Sequence, residues 1–319
     1  MGVADMNGTR PLSRRMVLSS GVGAVAAGVL AGVPTTAHAN RPAATRRRGY
    51  AQGPHGLVHY QDTGPVPAPA GQKAQLPLLL LHQAPMTSRQ FDSVYGLLAA
   101  RGIRAIGVDT PGFGMSDPTP FVPKVDDWAS SVVAVLDHLR IRKANVLGHH
   151  TGALLATEVA LQFPGRVNRL ILNGPFPITA AERQDLLAGL RKKEVEFEYR
   201  TDGQHLAESF MTRWNMYGPG ADPKLTTRVI IEKFQGFGPF WYGHNAAYRY
   251  DHATKMKLIT QPTLILLNTG DQIYDKAQRA RTIRPDFAYA EIEGGGVDIV
   301  DQKPVEWADA VANYLRSSV

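Results

Sequence analysis

Between Val146 and Thr157 the chain reads Val-Leu-Gly-His-His-Thr-Gly-Ala-Leu-Leu-Ala-Thr, an apolar strand pattern that passes into an apolar helix pattern with no room for a loop. A junction this tight brings the two backbones together, so the flanking positions must be small and the residue at the tip is strained and exposed. Gly148 and Gly152 take the flanking positions and His150 stands at the tip.

The rest of the chain supplies strands to match. Gly56 to Gly64 alternates as an early strand, and Leu76 to His82 and Ile103 to Val108 are continuous apolar runs suited to strands buried on both faces of a parallel sheet. Helix spacing follows over Phe91 to Ala100 and Trp128 to Leu139, then a strand over Ala144 to Leu147, a helix over Thr151 to Phe163 and a strand over Val167 to Leu172. This alternation predicts an α/β fold with a doubly wound, mostly parallel sheet, whose ligand sites lie at the carboxyl ends of the strands. From 174 to 261 the rhythm breaks into amphipathic helices rich in aromatics, read as an inserted helical cap. The core, 56–173, resumes over 262–319 with strands at Pro262 to Leu267 and Ala288 to Ile292 and helices at Tyr274 to Ile283 and Val305 to Leu315.

The first 39 residues read as an export leader. Ser13-Arg14-Arg15-Met16-Val17-Leu18 precedes a Gly/Ala-rich run and Ala37-His38-Ala39, the pattern of a twin-arginine signal with its cleavage site. Residues 40–55 read as a basic tail. No later stretch approaches the roughly 20 apolar residues needed to span a bilayer, so the mature chain is expected to carry no integral membrane segment. The net charge of +7 comes mostly from this end: Arg10, Arg14, Arg15, Arg41, Arg46, Arg47 and Arg48 are seven of 35 basic residues, against Asp5 alone among 28 acidic ones. A nearly neutral body gives no electrostatic case for nucleic acid. Absence of cysteine suits a chain that needs no disulfide after export.

Several blocks together resemble the α/β-hydrolase superfamily over about Gly56 to Leu315. They are the strand and loop at Leu78 to Ala84, the segment Asp109-Thr110-Pro111-Gly112-Phe113-Gly114-Met115-Ser116-Asp117, the Gly148-to-Gly152 elbow, the cap, and Leu267-Asn268-Thr269-Gly270-Asp271. The resemblance implies a nucleophile at the elbow, an acid after a late strand and a histidine after the last strand. Here the elbow carries His150 in place of serine, and Val297 stands where the last histidine is expected. All ten histidines lie at or before His252, so none follows Asp271. The oxyanion loop is altered as well, to His82-Gln83-Ala84.

With both usual residues gone, an imidazole at the tip is long enough to reach the acid directly. The expectation is a His150–Asp271 pair acting as general base or acid, with Asp275 or Asp298 as fallback carboxylates. Backbone N–H groups of Thr151 and of Ala84 or Gln83 are expected to form the oxyanion hole, and Phe113, Trp214, Trp241 and Tyr242 to line the substrate pocket. His82 and His149 read as buried structural residues, and His205, His244 and His252 as surface or structural ones. No cofactor is implied. A metal site from His82, His149 and His150 is disfavoured, because neighbours at i and i+1 are expected to point apart and no spacing matches a zinc pattern. Leader, resemblance and altered site together lead to the expectation of an exported enzyme for a small, mostly apolar ester, lactone or ketone-like substrate, working by a non-serine mechanism through His150 and Asp271. The rival reading is an inactive pseudohydrolase that binds a small molecule.

Overall fold

A computed structural model of the chain describes residues 46–71, 73–217 and 221–318; the leader read at 1–39 and the start of the basic tail lie outside them. Eight strands form one sheet: β1 (Arg47–Gly53), β2 (Gly56–Asp62), β3 (Leu78–Leu81), β4 (Ala105–Val108), β5 (Ala144–His149), β6 (Val167–Asn173), β7 (Thr263–Asn268) and β8 (Ala288–Ile292). Their spatial order is β1-β2-β4-β3-β5-β6-β7-β8. β2 is antiparallel to β1 and β4, and all pairings from β4 through β8 are parallel. The chain turns back in strand order between β3 and β5, so the carboxyl ends of these two neighbours flank the crevice where doubly wound sheets bind ligands.

The apolar runs become the sheet centre because each has two faces to cover. Every residue of β3, β4, β5 and β7 is buried. On one face pack α1 (Tyr95–Ala100) and, near the end of the chain, α12 (Pro304–Arg316), with Tyr95, Leu98, Trp307 and Val311 in one cluster. On the other pack α2 (Ala129–His138) and α3 (Thr151–Gln162), with Val132, Leu136, Leu154 and Val159 in a second.

Between β6 and β7 the described residues form five α-helices, α4 (Ala180–Leu190), α5 (Gln204–Tyr217), α6 (Pro223–Gln235), α7 (Tyr242–Arg249) and α8 (His252–Met256), with a π-helical turn over Arg191–Val195 after α4. They fall within the 174–261 segment read as a cap. The single helix expected over Tyr274 to Ile283 is two short ones, α9 (Tyr274–Ala277) and α10 (Arg279–Ile283), and α11 (Ile299–Gln302) precedes α12.

One expectation needs correcting. From Arg47 the segment read as a basic tail is the edge strand β1, in register with β2 from Arg47 opposite Asp62 to Gly53 opposite Gly56. Arg46 is tied down too, by an ion pair to Asp92 and by its guanidinium lying 5.0 Å over the Tyr95 ring. Three consecutive arginines look like a solvated tail, yet an edge strand tolerates charge on its open side and is protected by it.

Candidate active site

The turn from β5 to α3 has the geometry the glycines foretell. His150 adopts φ 51° and ψ −113°, a conformation costing an L-residue on the order of 1–3 kcal/mol. Its N–H is pinned to the Asn173 carbonyl at 2.9 Å. Asn173 is held in turn by the Trp307 indole N–H, 2.8 Å from its Oδ1. A Cβ on Gly148 would lie 1.9 Å from the Gly152 carbonyl oxygen, and one on Gly152 would lie 2.1 Å from that of Leu81. The side chain of His150 also depends on a glycine: Gly174, at φ +63°, faces the ring, and a Cβ there would lie 2.6 Å from Cδ2.

His150 Nε2 donates to Asp271 Oδ2 at 2.6 Å. Asp271 follows β7, and its other oxygen accepts the Ile273 N–H at 3.1 Å. Burial works to raise the Asp271 carboxyl, but the His150 charge and hydrogen bond outweigh it and hold the group at about 2. Because the carboxylate takes Nε2, the lone pair on Nδ1 is left for chemistry, the reverse of the nitrogen assignment in a Ser-His-Asp triad. Val297 is buried at 3% exposure. Asp275 is exposed, and Asp298 belongs to a separate cluster.

The two candidates for the second oxyanion donor separate cleanly. The Gln83 N–H is already given to Gln90 Oε1 at 2.9 Å, which removes Gln83 as a backbone donor. Among the described residues the N–H groups of Ala84 and Thr151 have no partner, and Thr151 is the first residue of α3, where orphan N–H groups favour negative charge. The cap sits directly on this loop: a Cβ on Gly243, in α7, would fall 2.1 Å from Ala84 Cβ and 3.0 Å from Phe113 Cζ.

Phe113 is buried at 3% exposure, edge-on to His82 and Trp128. Trp241 and Tyr242 pack against each other at the start of α7, rings 4.7 Å apart, next to Gly243. Trp214 instead stacks on Phe210 within the cap.

His82 and His252 are buried, with both ring nitrogens hydrogen-bonded. His82 Nδ1 donates to the Gln83 carbonyl and Nε2 accepts from Thr110 N–H, each at 2.9 Å. Burial presses His252 down to about 3, and it is held by Thr157 and the Phe176 N–H. His244 pairs with Glu194 at 2.7 Å, and His205 packs among Phe197, Tyr199 and Phe234 on the cap. The expectation that His149 and His150 point apart is corrected: the left-handed turn at His150 brings their ring centroids to 4.4 Å.

Two clusters escaped the sequence reading. Asp298, fully buried, accepts from Gln83 Nε2 at 2.6 Å, from Arg213 Nη2 at 2.5 Å and from the Tyr217 hydroxyl. Burial opposes its ionisation, but Arg213 leads the groups that hold it below the usual carboxylate range. The oxyanion loop, the last loop and cap helix α5 thus share one carboxylate. Glu232 of α6, 1% exposed, accepts from both N–H and hydroxyl of Thr87, and burial pushes it up to about 7. A cleft of about 700 Å³ opens beside these contacts, lined by Tyr217, Arg228, Gly270 and Lys303 among others. It flanks the Asp271 loop and does not include His150.

A mostly parallel α/β sheet with a strand-to-helix elbow at its switch point, and helices inserted between β6 and β7, defines a hydrolase-like fold class. The chain belongs to the alpha/beta hydrolase fold family, whose model matches residues 77–287. It is 29% identical over 219 residues to a non-heme haloperoxidase of Rhodococcus erythropolis, spanning 65% of this chain and 78% of that protein. It is 26% identical over 233 residues to a non-heme chloroperoxidase of Streptomyces lividans, spanning 70% and 82%. The crystal structure of an enol-lactonase from Burkholderia xenovorans superposes with a TM-score of 0.66 at 17% identity, over 84% of this chain and all of that one, a likeness of fold.

Proposed function

We propose that this chain is an exported enzyme acting on a small, mostly apolar carbonyl compound, an ester, lactone or ketone-like molecule, without a serine nucleophile. The single observation that carries the reading is the 2.6 Å contact between His150 Nε2 and Asp271 Oδ2. In this reading His150 Nδ1 takes a proton from water or from a carbon next to the carbonyl. The imidazolium so formed is stabilised by Asp271, and the negative charge gathering on the substrate oxygen meets the N–H groups of Ala84 and Thr151. A donor of this kind contributes about 3 kcal/mol to an oxyanion transition state. The two serines weighed from the sequence, Ser116 and Ser88, are engaged: Ser116 Oγ donates to the Asp109 carbonyl at 2.7 Å and Ser88 Oγ accepts from Gln61 at 3.0 Å.

Two outcomes test this. Turnover of a panel of small esters, lactones and enolisable ketones should survive a serine-directed fluorophosphonate. Ligand binding with no turnover of any of them would replace the enzyme by a binding module. Export is tested separately. Residues 1–39 fused to a reporter should carry it out of the cytoplasm, and the Arg14→Lys, Arg15→Lys pair should retain it inside; export unaffected by the pair would remove the twin-arginine assignment.

A further inference from the structure

We propose that His149 is a second catalytic histidine, a neutral imidazole that donates its Nε2 proton to the substrate oxygen on which charge develops as His150 takes a proton. The inference rests on the role given above to His150, and it narrows the substrate to carbonyl compounds that react through an enolate or a tetrahedral oxyanion.

The tautomer follows from two hydrogen bonds in series. Gln83 N–H donates to Gln90 Oε1 at 2.9 Å, which fixes the orientation of the Gln90 amide. Its Nε2 group then faces His149 Nδ1, so Nδ1 accepts and the proton of a neutral ring sits on Nε2. That Nε2 is buried and, among the described residues, has no hydrogen-bond partner. An orphaned buried donor costs about 1–3 kcal/mol, and an anionic oxygen is the ligand that would offset it.

The surroundings keep the ring neutral. Burial, and after it the charge of His150, hold His149 well below the usual imidazole range, against the opposing pull of Asp271 and Asp298; Arg213 adds to the lowering. A neutral imidazole donates a hydrogen bond without surrendering its proton, the property an enolate-stabilising group needs.

One ligand-capable atom from each of His149, His150 and Asp271 lies within 4.8 Å of the other two, a spacing that also suits a divalent metal ion. Gln90 decides against that reading. It covers Nδ1 and places a proton on Nε2, whereas a ligating nitrogen must be proton-free.

The step balances within the site. His150 Nδ1 takes the proton from a carbon next to the carbonyl, and the C–H electron pair becomes a C=C bond. The carbonyl π pair moves to oxygen, which accepts from His149 Nε2. Return of the proton from Nδ1 to carbon restores the base.

The test is ¹⁵N NMR of the full chain labelled at histidine, with acetylacetone enolate as the probe. Expected are a proton on His149 Nε2, a proton-free Nδ1, no protonation of this ring as the pH is lowered through the usual imidazole range, and a probe-induced shift of the Nε2–H. Gln90→Glu, whose carboxylate would accept from Nδ1, should move the proton to Nδ1 and abolish the probe shift. Removing one such donor typically costs about 10²–10³ in kcat, so a loss of that order with little change in KM is expected. A wild-type proton on Nδ1, a probe shift undiminished in Gln90→Glu, or a stoichiometric Zn²⁺-induced shift of both histidines would overturn the proposal. The wild-type spectrum needs no substitution to fold. Failure of the His150 reading is separate: solvent exchange of probe C–H protons undiminished in His150→Ala would remove the base and leave the His149 tautomer and its probe shift in place.

Discussion

Gly152→Ala abolishes the fold. The added methyl would stand 2.1 Å from the Leu81 carbonyl oxygen and 2.8 Å from that of His82, and both are backbone atoms of the central strand β3 and its exit loop. No rotamer relieves such a clash; α3 must move away from the sheet. That motion would drag the His150 turn and its bond to Asn173, and would open the cluster holding Leu154 and Val159. The expected loss exceeds about 4 kcal/mol, at the far end of what single substitutions do, read as a collapse of the urea midpoint or as insoluble protein. Gly148→Ala should behave alike, its methyl meeting the Gly152 carbonyl at 1.9 Å. Gly189→Ala in α4 is the control, since nothing lies within 4 Å of the added carbon and helix propensity favours alanine by roughly 1 kcal/mol.

Asp271→Asn keeps the shape of the acid and removes its charge. The amide no longer stabilises the imidazolium, and it can present N–H to Nε2, which turns the proton to the wrong nitrogen. A fall in kcat/KM of roughly 10²–10⁴ is expected. Because His150 and Asp271 act as one unit, the double variant with His150→Ala should be little worse than the poorer single one.

The same substitution alters acid stability in a definite direction. With its folded value near 2 against an ordinary 3.8, Asp271 contributes stability that is present above the ordinary value and lost as pH falls through the folded one. The contribution is about 2 kcal/mol, and Asp271→Asn should lack this acid limb.

The sheet was legible because its central strands are uninterrupted apolar runs, and the elbow because two glycines bracket one residue where strand meets helix. The 121-residue span between His150 and Asp271 was bridged only through the resemblance, which says which strand ends adjoin; the 2.6 Å contact itself needed coordinates. Gln90 and Arg213 carried no sequence signal. Gln90 matters because its amide is clamped by a backbone N–H from the oxyanion loop, and Arg213 because α5 lowers it onto Asp298. Neither relation has a period or a spacing. The role of Gly174 as the hollow that admits the His150 ring is visible only in space. The edge strand β1 was hidden by its own arginines, which mimic a solvated tail.

The most direct measurement is the ratio of kcat/KM for wild type to that for His150→Ala on an enolisable ketone or lactone, with circular dichroism confirming that the variant is folded. The account predicts a ratio of at least about 100, and a wild-type rate insensitive to fluorophosphonate. A folded His150→Ala protein that turns over substrate as fast as wild type would contradict it.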